Sequence, residues 1–234
     1  MVDAGFLEVA EAQMRASFLT DAGLEARLAD TASALLVRTL ESVPPGQGKA
    51  LLNEAGETVY QVDRDRIVLA AMSIMGTKAL RVIRAARAVL ASGFESEARA
   101  LDRILVELMA HRGAILDDRT ASEAMAWLRR KRKYGISKRV AAMGNREVYE
   151  NLCVDAHGDP EAALRLRDPE TNTIELGPQR GPGTRASLLL YAGFARDHAG
   201  LVAELSDATS IRGMDRLDVE IDAAWQRLKS ESGA

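Results

Sequence analysis

Asp65-Arg66-Ile67-Val68-Leu69-Ala70-Ala71-Met72-Ser73-Ile74-Met75-Gly76-Thr77-Lys78-Ala79-Leu80-Arg81-Val82-Ile83-Arg84-Ala85-Ala86 decides the fold class. Its apolar positions Val68, Ala71, Met72, Met75, Ala79, Val82, Ile83 and Ala86 recur at spacings of three and four, the period of one helix face. Gly93 supplies a left-handed closing residue. Phe94 to Leu116 then repeats the pattern, with Leu101, Ile104, Leu105 and Leu108 on one face. Two long amphipathic helices joined by so short a turn predict an antiparallel hairpin.

The same period extends outward in both directions. Leu24, Leu28, Ala32, Leu35, Leu36 and Leu40 predict a helix that Pro44-Pro45-Gly46 must end. Downstream, Thr120 with Glu123 three residues later has the form of a capping box for a helix running through Trp127 to a basic cluster, with Gly135 as its stop. A short helix should carry Tyr149 to His157, before Gly158-Asp159-Pro160. Residues 163–176 show period-two apolar positions on both sides of a Pro/Asn turn and are expected to form a small β-hairpin. Thr184 is placed to cap a helix through Leu205, and Asp215 one carrying Leu217, Ile221, Trp225 and Leu228. The expected architecture is all-α, an antiparallel helical bundle over residues 61–234 with one small β-hairpin. Residues 1–60 are expected to be an N-terminal helical segment packing on it.

Composition agrees with that class. Hydrophobic residues make up 47% of the 234, enough for one sizeable core, and aromatics only 4%, so the core must be aliphatic. With 31 basic and 34 acidic residues the net charge is -3, which gives no global attraction to nucleic acid or anionic membrane. The single cysteine, Cys153, excludes an intramolecular disulfide framework and suits a reducing, cytoplasmic setting. The longest uncharged apolar run, Ile67 to Thr77, is well short of the roughly 20 residues of a spanning helix, so no membrane partner is expected.

Few reactive side chains interrupt this aliphatic pattern. Arg99, Arg103, Glu107 and His111 follow one another at four-residue intervals along the second hairpin helix. A solvated arginine–glutamate pair is one reading. The sharper one has Arg103 and Glu107 half buried, facing His157, to orient a phosphate or tune the imidazole. Tyr149 and His157 lie on one face of their helix, roughly 12 Å apart along its axis, too far to touch. His157 can instead serve as a helix-terminal cap. The run Arg129, Arg130, Lys131, Arg132 and Lys133, continued by Lys138 and Arg139, is either a solvated helix end or a patch contacting RNA or DNA phosphates. The glycine-bearing loop 177–183 lacks the lysine of a phosphate-binding loop and reads as a connector. His198, at helical spacing with Tyr191, Phe194, Leu201 and Leu205, reads as a buried core histidine. Three histidines without ligand spacing predict no metal, and nothing points to a cofactor.

The order of these features resembles a family of helical bacterial and phage proteins of unknown function: a long helix pair with Arg103 and Glu107, then Tyr149 and Leu152, His157, a short hairpin, and Leu176-Gly177-Pro178 before another helix. The likeness spans roughly residues 60 to 206. That family is in turn distantly similar to the HEPN superfamily, helical bundles that often dimerise and include metal-independent ribonucleases and toxins. The resemblance implies a homodimer and puts His157 in the place of the catalytic histidine. Family ribonucleases carry an arginine four to six residues earlier; here Asn151, Leu152 and Cys153 stand there.

Two functional expectations follow. The first in rank is a non-enzymatic helical interaction or regulatory protein, partnered by a second copy or another protein. The other is a HEPN-like metal-independent ribonuclease or toxin with His157 as general acid or base, Tyr149, Arg103 and Glu107 around it, and the basic run holding RNA. A DNA-binding regulator ranks lower, because no helix-turn-helix spacing surrounds the basic run.

Overall fold

The computed structural model describes residues 4–43, 64–129, 136–144, 146–157, 183–206 and 214–231, the side chains of 4–7 and 154–157 excepted. These residues form α1 (Ala4–Asp21), α2 (Gly23–Ser42), α3 (Arg64–Ala91), α4 (Glu95–Asp117), α5 (Ser122–Leu128), α6 (Ile136–Ala142), α7 (Arg146–His157), α8 (Gly183–Leu205) and α9 (Met214–Glu231). No strand occurs among the described residues, so the all-α class holds; the expected hairpin over 163–176 lies outside them.

The α3–α4 hairpin closes as its sequence dictates. Gly93 adopts φ 86, its N–H donates to the Leu90 carbonyl at 3.0 Å, and the Phe94 N–H reaches back to the Val89 carbonyl at 3.2 Å. This paired arrangement satisfies the last carbonyls of α3 and turns the chain through a conformation that glycine adopts without steric cost. At the opposite end, Arg64 from the first turn of α3 donates to the Asp118 carbonyl from Nε at 3.0 Å and from Nη2 at 2.8 Å, which covers the open end of α4.

The core is mainly aliphatic, with the aromatic side chains of Phe18, Tyr191 and Phe194 buried in it. Leu28, Leu35 and Leu36 of α2, Leu69, Met72 and Met75 of α3, Leu105, Leu108 and Ile115 of α4, and Leu188 and Leu189 of α8 are almost fully buried together. The most extensive helix pairing is α2 against α8, and α8 also packs on α3, α4 and α9. An ion-pair chain spans three helices at this seam: Arg185 of α8 meets the buried Glu25 of α2 at 2.8 Å and also pairs with Glu231 of α9.

Two expected caps are replaced by longer-range partners. Asp118, not a Thr120/Glu123 box, caps α5: its carboxylate accepts the Glu123 N–H at 2.8 Å and the Thr120 N–H at 2.9 Å. These donors hold the carboxyl well below the usual carboxylate range, and they steady Ala121 at φ 61, a conformation that costs an alanine about 1–2 kcal/mol. The Glu123 side chain is drawn away to Arg139 at 2.9 Å. Likewise the Thr184 hydroxyl donates to Glu95 of α4 at 2.8 Å instead of capping α8.

Candidate functional site

One face of α4 belongs to the main core, and the other carries a smaller cluster. Val106 and Ala110 of α4 bury against Val140 of α6 and Tyr149 and Leu152 of α7, with Ile136 and Cys153 partly covered at its edge. This patch draws α7 across α4, which sets Tyr149 over the turn holding Arg103 and Glu107.

Three of the four residues singled out as catalytic candidates meet here. The Tyr149 hydroxyl donates to Glu107 Oε1 at 2.9 Å, and Arg103 donates from Nε to the same oxygen at 3.0 Å. The Arg103 guanidinium also lies 5.6 Å from the centre of the Tyr149 ring, within cation–π range. Arg103 and Glu107 are half-buried and both lie against Tyr149. His157 is the last residue of α7; its side chain lies outside the described detail.

The electrostatics follow from this geometry. Burial, together with the Glu107 carboxylate accepting its proton, pushes the Tyr149 phenol up to about 12. A phenol so shifted stays protonated at neutral pH and cannot act as a general base there. Farther along the stripe, burial lowers the His111 imidazole, and the Arg139 charge lowers it further. Cys153, one turn beyond Tyr149, is a half-buried thiol at the edge of the same cluster.

Of the seven residues of the basic run, three lie among the described residues. Arg129 follows the last turn of α5 and is half-buried, Lys138 is exposed on α6, and Arg139 is tied to Glu123. Arg130, Lys131, Arg132 and Lys133 lie outside the described residues.

Two buried polar groups elsewhere escaped or only partly met the sequence reading. Asp102, on the core side of α4, accepts hydrogen bonds from the Ser187 and Tyr191 hydroxyls of α8, the latter at 2.5 Å. Burial raises its pKa against the lowering effect of both donors. Its single signal was an acid flanked by core positions Leu101 and Leu105. His198 is fully buried, as its spacing predicted, and its Nε2 donates to the Met72 carbonyl at 2.8 Å. The ring stacks on Phe194 with centroids 5.4 Å apart, while Nδ1 has no partner among the described residues. Burial pulls this imidazole down to about 4, so it is neutral at physiological pH.

No group of three or more His, Cys, Asp or Glu side chains among the described residues is arranged to hold a metal ion. No helix among them is long and apolar enough to cross a membrane. Comparison with known proteins yields no match to a family model, to a curated protein or to a solved structure.

Proposed function

We propose that this chain is a non-enzymatic helical interaction or regulatory protein. The supporting observation is the closed triangle of Arg103, Glu107 and Tyr149. Glu107 Oε1 accepts two hydrogen bonds, and the phenol proton is committed to it. Tyr149 and Glu107 are thus engaged in fastening α7 to α4, with Arg103 held beside them. Homodimerisation and a cytoplasmic setting belong to the same proposal, the latter supported by the lone Cys153.

The competing reading is the HEPN-like ribonuclease or toxin. It draws support from the same convergence, since Arg103 and Glu107 do meet α7, the helix that ends in His157. In that reading His157 exchanges the proton of a ribose hydroxyl while Arg103 or the Arg129 cluster holds phosphate.

Purified protein incubated in chelator with several RNAs, beside a folded His157→Ala variant, separates the two. Absence of cleavage by both is the expected result. Cleavage by the wild type alone would overturn the proposal and establish a metal-independent nuclease centred on His157.

A further inference from the structure

Helices α1, α2 and α3 part to leave a groove of about 710 Å³. This lies within the roughly 300–1,000 Å³ typical of small-molecule sites. Its floor and walls are apolar: Phe18 of α1, Ala34 and Val37 of α2, and Leu80, Ile83 and Ala88 of α3. Val37 stays 39% exposed and Leu19 at the groove edge 62%. Along α3 the lining runs from Thr77 to Ala91, about 21 Å at 1.5 Å per residue.

The rim carries charge of one dominant sign. Arg81, Arg84 and Arg87 line it at intervals of three, so they stand in a stripe on successive turns of α3. Asp30 is the one carboxylate in the described lining, and it is paired with Arg87. Arg81 and Arg84 have no carboxylate partner among the described residues. Two uncompensated guanidiniums one turn apart thus border a long apolar trough.

We infer that this groove binds a single-chain anionic amphiphile, a long-chain fatty acid, with its carboxylate on Arg81 and Arg84 and its alkyl chain over Phe18, Leu80 and Ile83. Among the described lining residues, the positive charge without a carboxylate partner is confined to one turn of α3, which suits one anionic head. An acidic amphipathic helix would spread its charge over several turns and find only these two arginines to meet it. Guanidinium forks match carboxylate geometry, and the apolar trough accounts for the chain. The assignment deepens the reading of the protein as a binding and regulatory molecule and rests on it only in naming what is bound.

The test is calorimetric titration of the full chain with palmitate below its aggregation concentration. Hexadecanol and acetate serve as comparison ligands, and circular dichroism confirms the fold of each variant. Saturable binding of palmitate is expected, weakened at least about tenfold in R81Q/R84Q and abolished in Ala34→Trp, which fills the trough. Arg216→Gln on α9, outside the groove, should leave it unchanged. Equal binding of hexadecanol, undiminished binding in R81Q/R84Q or Ala34→Trp, or no binding of palmitate would each overturn the assignment. RNA cleavage, measured separately, bears on the non-enzymatic reading alone, so the two proposals fail independently.

Discussion

Tyr149 and Glu107, 42 positions apart in sequence, share a 2.9 Å hydrogen bond that joins α7 to α4. The bond sits beside an apolar patch in which Tyr149 is 5% exposed, so the phenol hydroxyl is largely shielded from water, while Glu107 is half-buried. Tyr149→Phe should therefore destabilise the protein by about 1.5 kcal/mol, the lower range for a hydrogen bond to a charged group. Urea denaturation followed by circular dichroism measures this. A loss below about 0.3 kcal/mol would show that the apolar patch alone fastens α7.

Asp118 and Thr120 make opposite predictions for the start of α5. The cap observed is the Asp118 carboxylate on the Glu123 N–H, so Asp118→Ala should cost about 1 kcal/mol. Thr120→Ala removes only a 3.3 Å contact to the Ser122 N–H and a hydroxyl bond to Asp118 itself, and should cost less. The ranking of the two variants in thermal unfolding is the measurement; the reverse order would restore the capping box suggested by the sequence.

Gly76 is required by a close approach. A Cβ at this position would stand 2.9 Å from His198 Cδ2 and 3.0 Å from Nε2, and the ring is pinned between Phe194 and the Met72 carbonyl. Gly76→Ala should destabilise by about 1–3 kcal/mol, as overpacking does, despite the better helix propensity of alanine. A stabilised variant in chemical denaturation would mean that the imidazole can yield.

His198 should make stability depend on acid. Its folded-state pKa of about 4 lies below the unfolded value near 6.5, so the unfolded chain takes up the proton first as pH falls. The stability contributed by the neutral ring is complete above about pH 6.5 and is lost progressively toward pH 4, to a total of roughly 3 kcal/mol. His198→Gln, which retains an amide donor for Met72 but does not titrate, should be less stable at pH 7 and lose less between pH 6.5 and pH 4. Parallel stability–pH curves for the two proteins would contradict the assignment.

Much of the fold was legible because helical periodicity is a local property. The spacing of Val68, Met72, Met75 and Ala79 specified α3, and Gly93 specified its end, since both signals act within one or two turns. The Arg103–Glu107 pair was legible for the same reason, four residues being one turn of α4. The basic stripe of Arg81, Arg84 and Arg87 was equally readable at its spacing of three, but a stripe of arginines has no meaning until the walls beside it are known.

What the sequence by itself determined, then, is the all-helical class, most helix positions and their apolar faces, and the burial of His198. Tertiary structure decided the partners. The hydroxyl of Thr184, nominally a cap, went to Glu95, and the Thr120 box gave way to Asp118 because Glu123 found Arg139. Asp102 joined Ser187 and Tyr191 across 85 and 89 positions, and Tyr149 reached Glu107 across 42. Local spacing fixes which way a side chain leaves its own helix, whereas its partner depends on how helices distant in sequence cross. That crossing is set by the summed packing of the aliphatic core, a quantity no short stretch of sequence contains.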